Sequence, residues 1–389
     1  MNDDVIYVDN NATTCIAPEV LQAMQPFLTR YYGNPSSIYP FSGPAAEAMR
    51  QAREALAELI GADGSDEIIF TSGGSESNNA AILSALQTQI GRRKILSSVV
   101  EHPAVLNLCR SLQKRGYQVD YLSVDSQGRI DLDEAKALIN EETAIVSVMA
   151  ANNEIGNIYP IYELAELAHA KGALFHSDAV QSVGKVPLHL RDSQIDFLSI
   201  SGHKLHAPKG IGALYRKRFV PFKPLIIGGH QENGLRAGTE NVAAIAGLGE
   251  AARMAMRDMA GEGAELCRLR DRLESGLLSS CPDPQVNGDP SSRLPNTCNI
   301  SFKYVEGEAI LLRLYLAAKV CASSGSACTT GSLEPSHVLR AIGLDYKALH
   351  GSIRFSFSRY NTEADVDTIL QALPPIIKDL RELSPFGRQ

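Results

Sequence analysis

Ile195-Asp196-Phe197-Leu198-Ser199-Ile200-Ser201-Gly202-His203-Lys204 passes from a short apolar run straight into a polar turn that ends on a lysine. The apolar part reads as a buried strand. Glu67-Ile68-Ile69-Phe70, Ile95-Leu96-Ser97-Ser98-Val99-Val100, Ala144-Ile145-Val146-Ser147-Val148-Met149 and Ala173-Leu174-Phe175-His176 follow the same plan. Between them lie helical periods: Ala80, Ile82, Leu83 and Leu86; then Val105, Leu108 and Leu112; then Leu164, Leu167 and Ala168. Strands that alternate with helices predict an α/β fold, a mainly parallel sheet flanked by helices. Polar residues follow each run: Ser72-Gly73-Gly74-Ser75, Glu101-His102, Asn152-Asn153-Glu154, Asp178 to Gln181, and Ser201 to Lys204. Such sheets bind ligands outside the carboxyl ends of their strands, so these five segments are expected to converge on one cleft.

A second composition begins near residue 245, with a long Ala- and Arg-rich helical stretch and a break at Pro282-Asp283-Pro284. Asn299-Ile300-Ser301-Phe302, Glu308 to Leu316 and Ile353-Arg354-Phe355-Ser356-Phe357 then read as a smaller α+β unit. The expected division is a large domain over 15–258 and a small domain over 1–14 plus 259–389. The chain of 389 residues has 44% hydrophobic and 21% charged residues and a net charge of −7, which argues against general nucleic-acid affinity. No apolar stretch approaches the ~18 residues that a membrane span requires. Met1-Asn2-Asp3-Asp4 carries no signal-peptide character, and a cytoplasmic protein is expected. The seven cysteines (15, 109, 267, 281, 298, 321 and 328) include no CxxC pair, so neither a zinc site nor a disulfide framework is expected. The ordinary expectation for most of them, Cys321 included, is a small buried apolar side chain.

One lysine and one carboxylate at strand ends are what pyridoxal phosphate needs. Lys204 offers an amine for the aldehyde, and Asp178 a carboxylate that keeps the pyridine nitrogen protonated. Lys204 alone could be a lysine whose stem lies along a sheet edge; its Ser-Gly-His context favours a built site. Gly73-Gly74-Ser75 opens a helix whose N–H groups could hold the phosphate, with Ser201 and His203 as further donors. The plainer reading is that Ser75 only caps the helix. His102, readable as a core imidazole, is placed to stack on the ring and move protons. Gln181 and Asn153 could reach the phenolic oxygen. Arg354 could be a solvated arginine or a bidentate clamp for a substrate carboxylate. Cys328 stands in Ser323-Ser324-Gly325-Ser326-Ala327-Cys328-Thr329-Thr330-Gly331, small residues that cannot pack a core, where a thiol is kept for its reactivity.

Tyr7-Val8-Asp9-Asn10-Asn11-Ala12-Thr13-Thr14, Gly33-Asn34-Pro35-Ser36-Ser37, the lysine motif, Gly234-Leu235-Arg236-Ala237-Gly238-Thr239-Glu240-Asn241 and the cysteine loop together resemble the cysteine desulfurases of the class-V aminotransferase family. These are fold type I pyridoxal-phosphate enzymes. His203 to Gly210, Gly228-Gly229-His230-Gln231-Glu232 and Phe355 to Tyr360 look most like the nitrogen-fixation branch. The resemblance implies that Lys204 carries the cofactor, Asp178 holds its pyridine nitrogen and His102 stacks on it. Asn153 and Gln181 would bond the phenolic oxygen. Gly74, Ser75, Ser201 and His203 would hold the phosphate, with Thr239 reaching in from the partner subunit of a homodimer. Arg354, assisted by Asn34, would bind the carboxylate of L-cysteine. Cys328 would become a persulfide whose sulfur passes to an iron–sulfur scaffold protein, and it could transiently be a cluster ligand shared with that partner. Ser75 departs from the threonine of most relatives but keeps the hydroxyl. A selenocysteine lyase, or another class-V lyase or aminotransferase, is the alternative.

Overall fold

A computed structural model describes residues 5–324 and 335–384. Its strands in chain order are β1 (Ile6–Tyr7), β2 (Ile68–Thr71), β3 (Lys94–Ser98), β4 (Gln118–Leu122), β5 (Thr143–Ser147), β6 (Leu174–Asp178), β7 (Phe197–Ser201), β8 (Gly212–Arg216), β9 (Pro284–Val286), β10 (Thr297–Phe302), β11 (Val320–Cys321), β12 (Ser323–Ser324) and β13 (Ser352–Ser356). Seven of these form the main sheet, in the order β2-β8-β7-β6-β5-β3-β4. The pairs from β7 through β4 are parallel, and β8 runs antiparallel to both β7 and β2.

The apolar runs are continuous because this sheet is buried on both faces. Successive side chains point to opposite sides. Phe70, Leu96, Val146, Phe175 and Leu198 join one core, while Ile69, Ile95, Ile145, Leu174 and Phe197 join another beneath the helices Gly74–Thr88 and Pro103–Gln113. His176, inside β6, is a structural histidine. Its ring nitrogens lie 2.8 Å from Ser147 Oγ on β5 and 3.0 Å from Ser199 Oγ on β7, tying three strands together just before Asp178. Two strands of this sheet escaped the sequence reading. β4 alternates polar with apolar residues at the sheet edge, and the apolar run of β8 is interrupted by Gly210 just before it and Gly212 at its start. The second glycine is required: a Cβ on Gly212 would lie 2.4 Å from the Ile200 carbonyl oxygen and 2.7 Å from Gly73 Cα.

A four-stranded antiparallel sheet, β12-β13-β10-β9, packs with the helices Gly307–Ala318 and Glu363–Leu383 around a further core that includes Val8. The helix Val242–Ser280 is 39 residues long. It gives Leu248 and Ala252 to the large core and Leu269, Leu273 and Leu277 to the small one. β1 pairs in parallel with β11 and Asp9 bridges Ser356, whereas the Thr14 N–H donates to the His203 carbonyl oxygen beyond β7, so the N-terminal segment crosses between the two units.

Candidate active site

The carboxyl ends of β2, β3, β6 and β7 open on a cavity of about 360 Å3, within the usual range for small-molecule sites. Lys204 lines it, one turn beyond β7. Its Nζ donates to the carbonyl oxygens of Asn11 and Ala12, each at 2.6 Å. Asp178, the last residue of β6, faces the same cavity. Asn78 Nδ2 donates to its Oδ2 at 2.6 Å, and the Val180 N–H donates to its Oδ1 at 3.0 Å. An acceptor-only carboxylate is thus held by one donor on each oxygen.

One wall is the start of helix Gly74–Thr88. Its N-cap is Gly73, at φ 150°, and no side chain caps it. Ser75 therefore lies inside the first turn rather than at the cap, which corrects the plainer reading. Gly74 and Ser75 line the cavity, as do Ser201 and His203 opposite. Uncapped helix N–H groups are ready partners for an anion. A side chain on Gly74 would collide with Val180 Cγ2 at 2.7 Å. Burial, reinforced by Lys204 and Lys209, pushes the His203 imidazole down to about 4, so it is neutral at pH 7, and its Nδ1 meets Thr13 Oγ1 at 3.1 Å.

His102 is the N-cap of helix Pro103–Gln113, where its Nδ1 accepts the Ala104 N–H at 3.1 Å. A neutral ring then carries its proton on Nε2. Burial pushes His102 below the ordinary imidazole value; Asp178 pulls it back up, and Lys204 and His337 push it further down. Gln181 and Asn153 line the cavity as well.

Arg354, on β13, is buried and closes the far side. Its Nη2 donates to Asp9 Oδ1 at 2.6 Å and its Nη1 to the Asn153 carbonyl oxygen at 2.9 Å, while its buried Nε has no hydrogen-bond partner. Ser323, paired with Arg354 across β12 and β13, also reaches the cavity. Beyond the segment that follows Ser324, the chain is held beside the same strand ends. Ser336 Oγ donates to Glu154 Oε2 at 2.5 Å, and His337 Nε2 donates to the Glu101 carbonyl oxygen at 2.9 Å. Cys328 itself lies outside the described residues.

A family model described as aminotransferase class-V matches residues 6–369. The chain belongs to that family. It is 58% identical over 382 residues to a protein of Nostoc sp. named cysteine desulfurase, covering 98% of this chain and 95% of the relative. It is 53% identical over 381 residues to one of Azotobacter vinelandii named cysteine desulfurase NifS, covering 98% and 94%. A solved structure titled NIFS-like protein superposes with a TM-score of 0.90 at 37% identity, over 97% of this chain and 100% of that one. Class-V aminotransferases and cysteine desulfurases are pyridoxal-phosphate enzymes.

The residues present fit that cofactor. The uncapped helix turn suits its phosphate, the doubly held carboxylate its pyridine nitrogen and the strand-end lysine its aldehyde, all on one cavity. The orphaned Nε of Arg354 leaves a cationic donor for a carboxylate beside it. Two expected residues are not brought to this cavity. Thr239 is exposed in its turn, and Asn34 is exposed with its Oδ1 accepting the Ser36 N–H at 2.9 Å. Three residues with roles here escaped the sequence reading: Asn78, Asp9 and Asn11. Asn78 was legible in principle, since a polar side chain one turn after Gly74-Ser75 on a sheet-facing helix has to find a buried partner. Among the described cysteines, Cys109, Cys281 and Cys298 are buried, whereas Cys15 is exposed and Cys267 and Cys321 are only half-buried; the expectation of burial fails for Cys15 and Cys321 because they lie on the thin N-terminal crossing and its partner strand, and for Cys267 because it sits on a partly exposed face of the helix Val242–Ser280. No helix among the described residues is long and apolar enough to cross a membrane.

Proposed function

We propose that this protein is a cysteine desulfurase that converts L-cysteine to L-alanine and keeps the sulfur as a persulfide on Cys328. The observation that carries the reading is the single cavity joining Lys204, Asp178 and Arg354, with both ends of the Cys328 segment anchored beside it. Pyridoxal phosphate, when bound, supplies the aldehyde that captures an amino group and the ring that takes up the electron pair left at Cα. Lys204 would hold it and then, with its amine released, take the Cα proton. Asp178 would keep the pyridine nitrogen protonated, and Asn78 would keep Asp178 in place. Gly74, Ser75, Ser201 and His203 would fix the phosphate; Gln181 and Asn153 would meet the phenolic oxygen. Arg354 would orient the substrate carboxylate, and His102, neutral and with its proton on Nε2, would lie against the ring and pass a proton to the substrate.

Sulfur transfer would be the work of Cys328. Its thiolate attacks the substrate sulfur; an S–S bond forms, and the Cβ–S bond breaks with its electron pair left on carbon, which takes up a proton. Cysteine and a thiol thus become alanine and a persulfide, with no outside oxidant. Cys328 is four positions beyond Ser324, a reach of at most about 14 Å. The thiols of Cys109, Cys281, Cys298 and Cys321 are all raised by burial, which keeps them protonated and poor nucleophiles.

We further read the protein as a cytoplasmic homodimer in which Thr239 completes the partner's phosphate site and Asn34 assists Arg354. The tether of the neighbouring Arg236 to Glu76 on the phosphate-side helix, 2.9 Å, supports a role for that turn near the phosphate. The persulfide would feed an iron–sulfur scaffold, with Cys328 a transient ligand of the cluster being built. Likeness to the Azotobacter vinelandii protein named NifS supports a nitrogenase-linked role. Incubation with L-cysteine followed by peptide mass spectrometry tests the reading: Cys328 should gain one sulfur atom while alanine appears. Alanine formation with no sulfur on Cys328 would favour a lyase acting without a protein persulfide.

A further inference from the structure

Behind Lys204 lies a second, smaller chamber of about 40 Å3, lined by Lys185, His206, Glu262 and Arg359 and touching Lys204 from its other side. None of these four has a part in the chemistry above. Lys185 Nζ donates to Gln181 Oε1 at 3.0 Å. At the other end of the same amide, Gln181 Nε2 donates to the Asn11 carbonyl oxygen at 2.9 Å. An amide oxygen and nitrogen are nearly the same size, so which points where is decided by the partners. Here the partners leave one choice. A backbone carbonyl only accepts, and an ammonium only donates. A flipped amide would set its NH2 against Lys185 and its oxygen against the Asn11 oxygen, two like-on-like contacts.

We propose that Lys185 is a positioning residue: by holding Oε1 of Gln181 it makes the amide present its nitrogen, with a second N–H to spare, on the cofactor side. This rests on the pyridoxal-phosphate reading of the cavity, in which Gln181 meets the phenolic oxygen. A donor there stabilises a phenolate, whereas a flipped amide would offer a lone pair and repel it. The lock is fullest when Lys185 is an ammonium, which can only donate. Burial pushes Lys185 down to about 7, with Lys204 and Arg354 pushing the same way and Glu262 opposing. Arg359 is ion-paired to Glu262 in the same chamber and to Asp258 outside it, and burial pushes His206 down to about 4, neutral at pH 7. As an amine Lys185 still has an N–H for Oε1, and the Asn11 carbonyl, which only accepts, continues to oppose a flip.

The test is a double-mutant cycle read by the holoenzyme's colour rather than its activity. Lys185→Met, Gln181→Met and the double variant are loaded with pyridoxal phosphate, and visible absorbance is followed against pH. Losing a donor to the phenolate should raise the midpoint by about one pH unit in each single variant, a tenfold change in proton affinity. The double variant should move no further than Gln181→Met alone, and Lys185→Arg should restore the parent midpoint. Additive shifts would make Lys185 a remote charge and overturn the proposal, as would an unmoved midpoint in Lys185→Met. Lys185→Ala serves the same cycle if the methionine variant does not fold. Failure of the parent protein to take up the cofactor would instead overturn the reading of the cavity.

Discussion

Asn78 and Asp178, 100 positions apart in the chain, are joined by a buried hydrogen bond of 2.6 Å. The bond fixes the plane of the carboxylate that faces the cavity, and Asp178→Asn should separate its charge from its shape. We expect the variant to bind pyridoxal phosphate yet lose activity by roughly 10²–10³, the usual loss on removing a preorganised electrostatic partner. Asn78→Ala should cost less, about tenfold to a hundredfold, because a hydrogen bond to a charged group is worth about 1.5–3 kcal/mol. Steady-state kinetics on cofactor-saturated protein decides both, and a loss of only a fewfold in Asp178→Asn would remove that carboxylate from the mechanism.

Lys204 is the lysine expected to carry the cofactor. Borohydride treatment of the loaded protein should fix the cofactor to the peptide containing Lys204, and peptide mapping reads this out. Attachment to Lys185 or Lys209 would overturn the assignment.

Arg354 meets Asp9 and the Asn153 carbonyl oxygen, and its Nε is unsatisfied. Arg354→Lys keeps the charge but loses the planar fork. We expect kcat/KM for cysteine to fall by roughly tenfold to a hundredfold, mostly through KM, for the loss of about 1.5–3 kcal/mol of carboxylate recognition. An unchanged KM would place the carboxylate elsewhere.

Cys328→Ala should keep the cofactor's absorbance and its response to cysteine but release no alanine. Cys321→Ala, which alters a half-buried thiol on β11, should lower the melting temperature slightly and leave turnover intact. Alanine formed by Cys328→Ala at near the parent rate would point to a selenocysteine-lyase-like reaction.

Stability should fall on the acid side of neutrality. Burial holds His176 at about 3 and both His203 and His206 at about 4, against an ordinary 6.5. Below about pH 6.5 the unfolded chain takes up protons that the folded one refuses, so stability drops as pH falls towards 4. Glu101 acts oppositely: burial raises it from 4.5 to about 8, and its contribution is lost as pH rises through 8. Where the slopes overlap, three histidines outweigh one carboxylate. Thermal melts across pH should show a fall on the acid side, and Glu101→Gln should flatten the alkaline side; a melting temperature that climbs steadily from pH 7 to pH 5 would contradict this.

The sheet and most of the cavity were legible because one rule links them. A buried parallel strand must be apolar along its length, so the first polar residue after it marks the end where ligands bind. Lys204, Asp178, His102 and Asn153 all declared themselves in this way. β4 and β8 did not, since one is half polar and the other's apolar run is broken by Gly210 and Gly212. Asn11 and Asp9 stayed hidden for a different reason. Their place depends on β1 pairing with a strand more than 300 residues away, which no local pattern reports. Thr239 and Asn34 were singled out by resemblance alone, and within one chain nothing brings them to the cavity.

The crossing of the N-terminal segment also orders events during synthesis. Asn11, whose carbonyl meets both Lys204 and Gln181, is held by its N–H to Ser356 Oγ and by its side chain to Thr297 Oγ1. Asn11 therefore waits for residues 286 and 345 positions further along the chain before it can settle. A nascent chain stalled after β8 would already hold its lysine and its aspartate, with the large sheet formed, but the rim that grips the lysine amine would still be loose. Cofactor capture should accordingly be a late, post-translational step, and a truncated chain ending before β10 should emerge colourless.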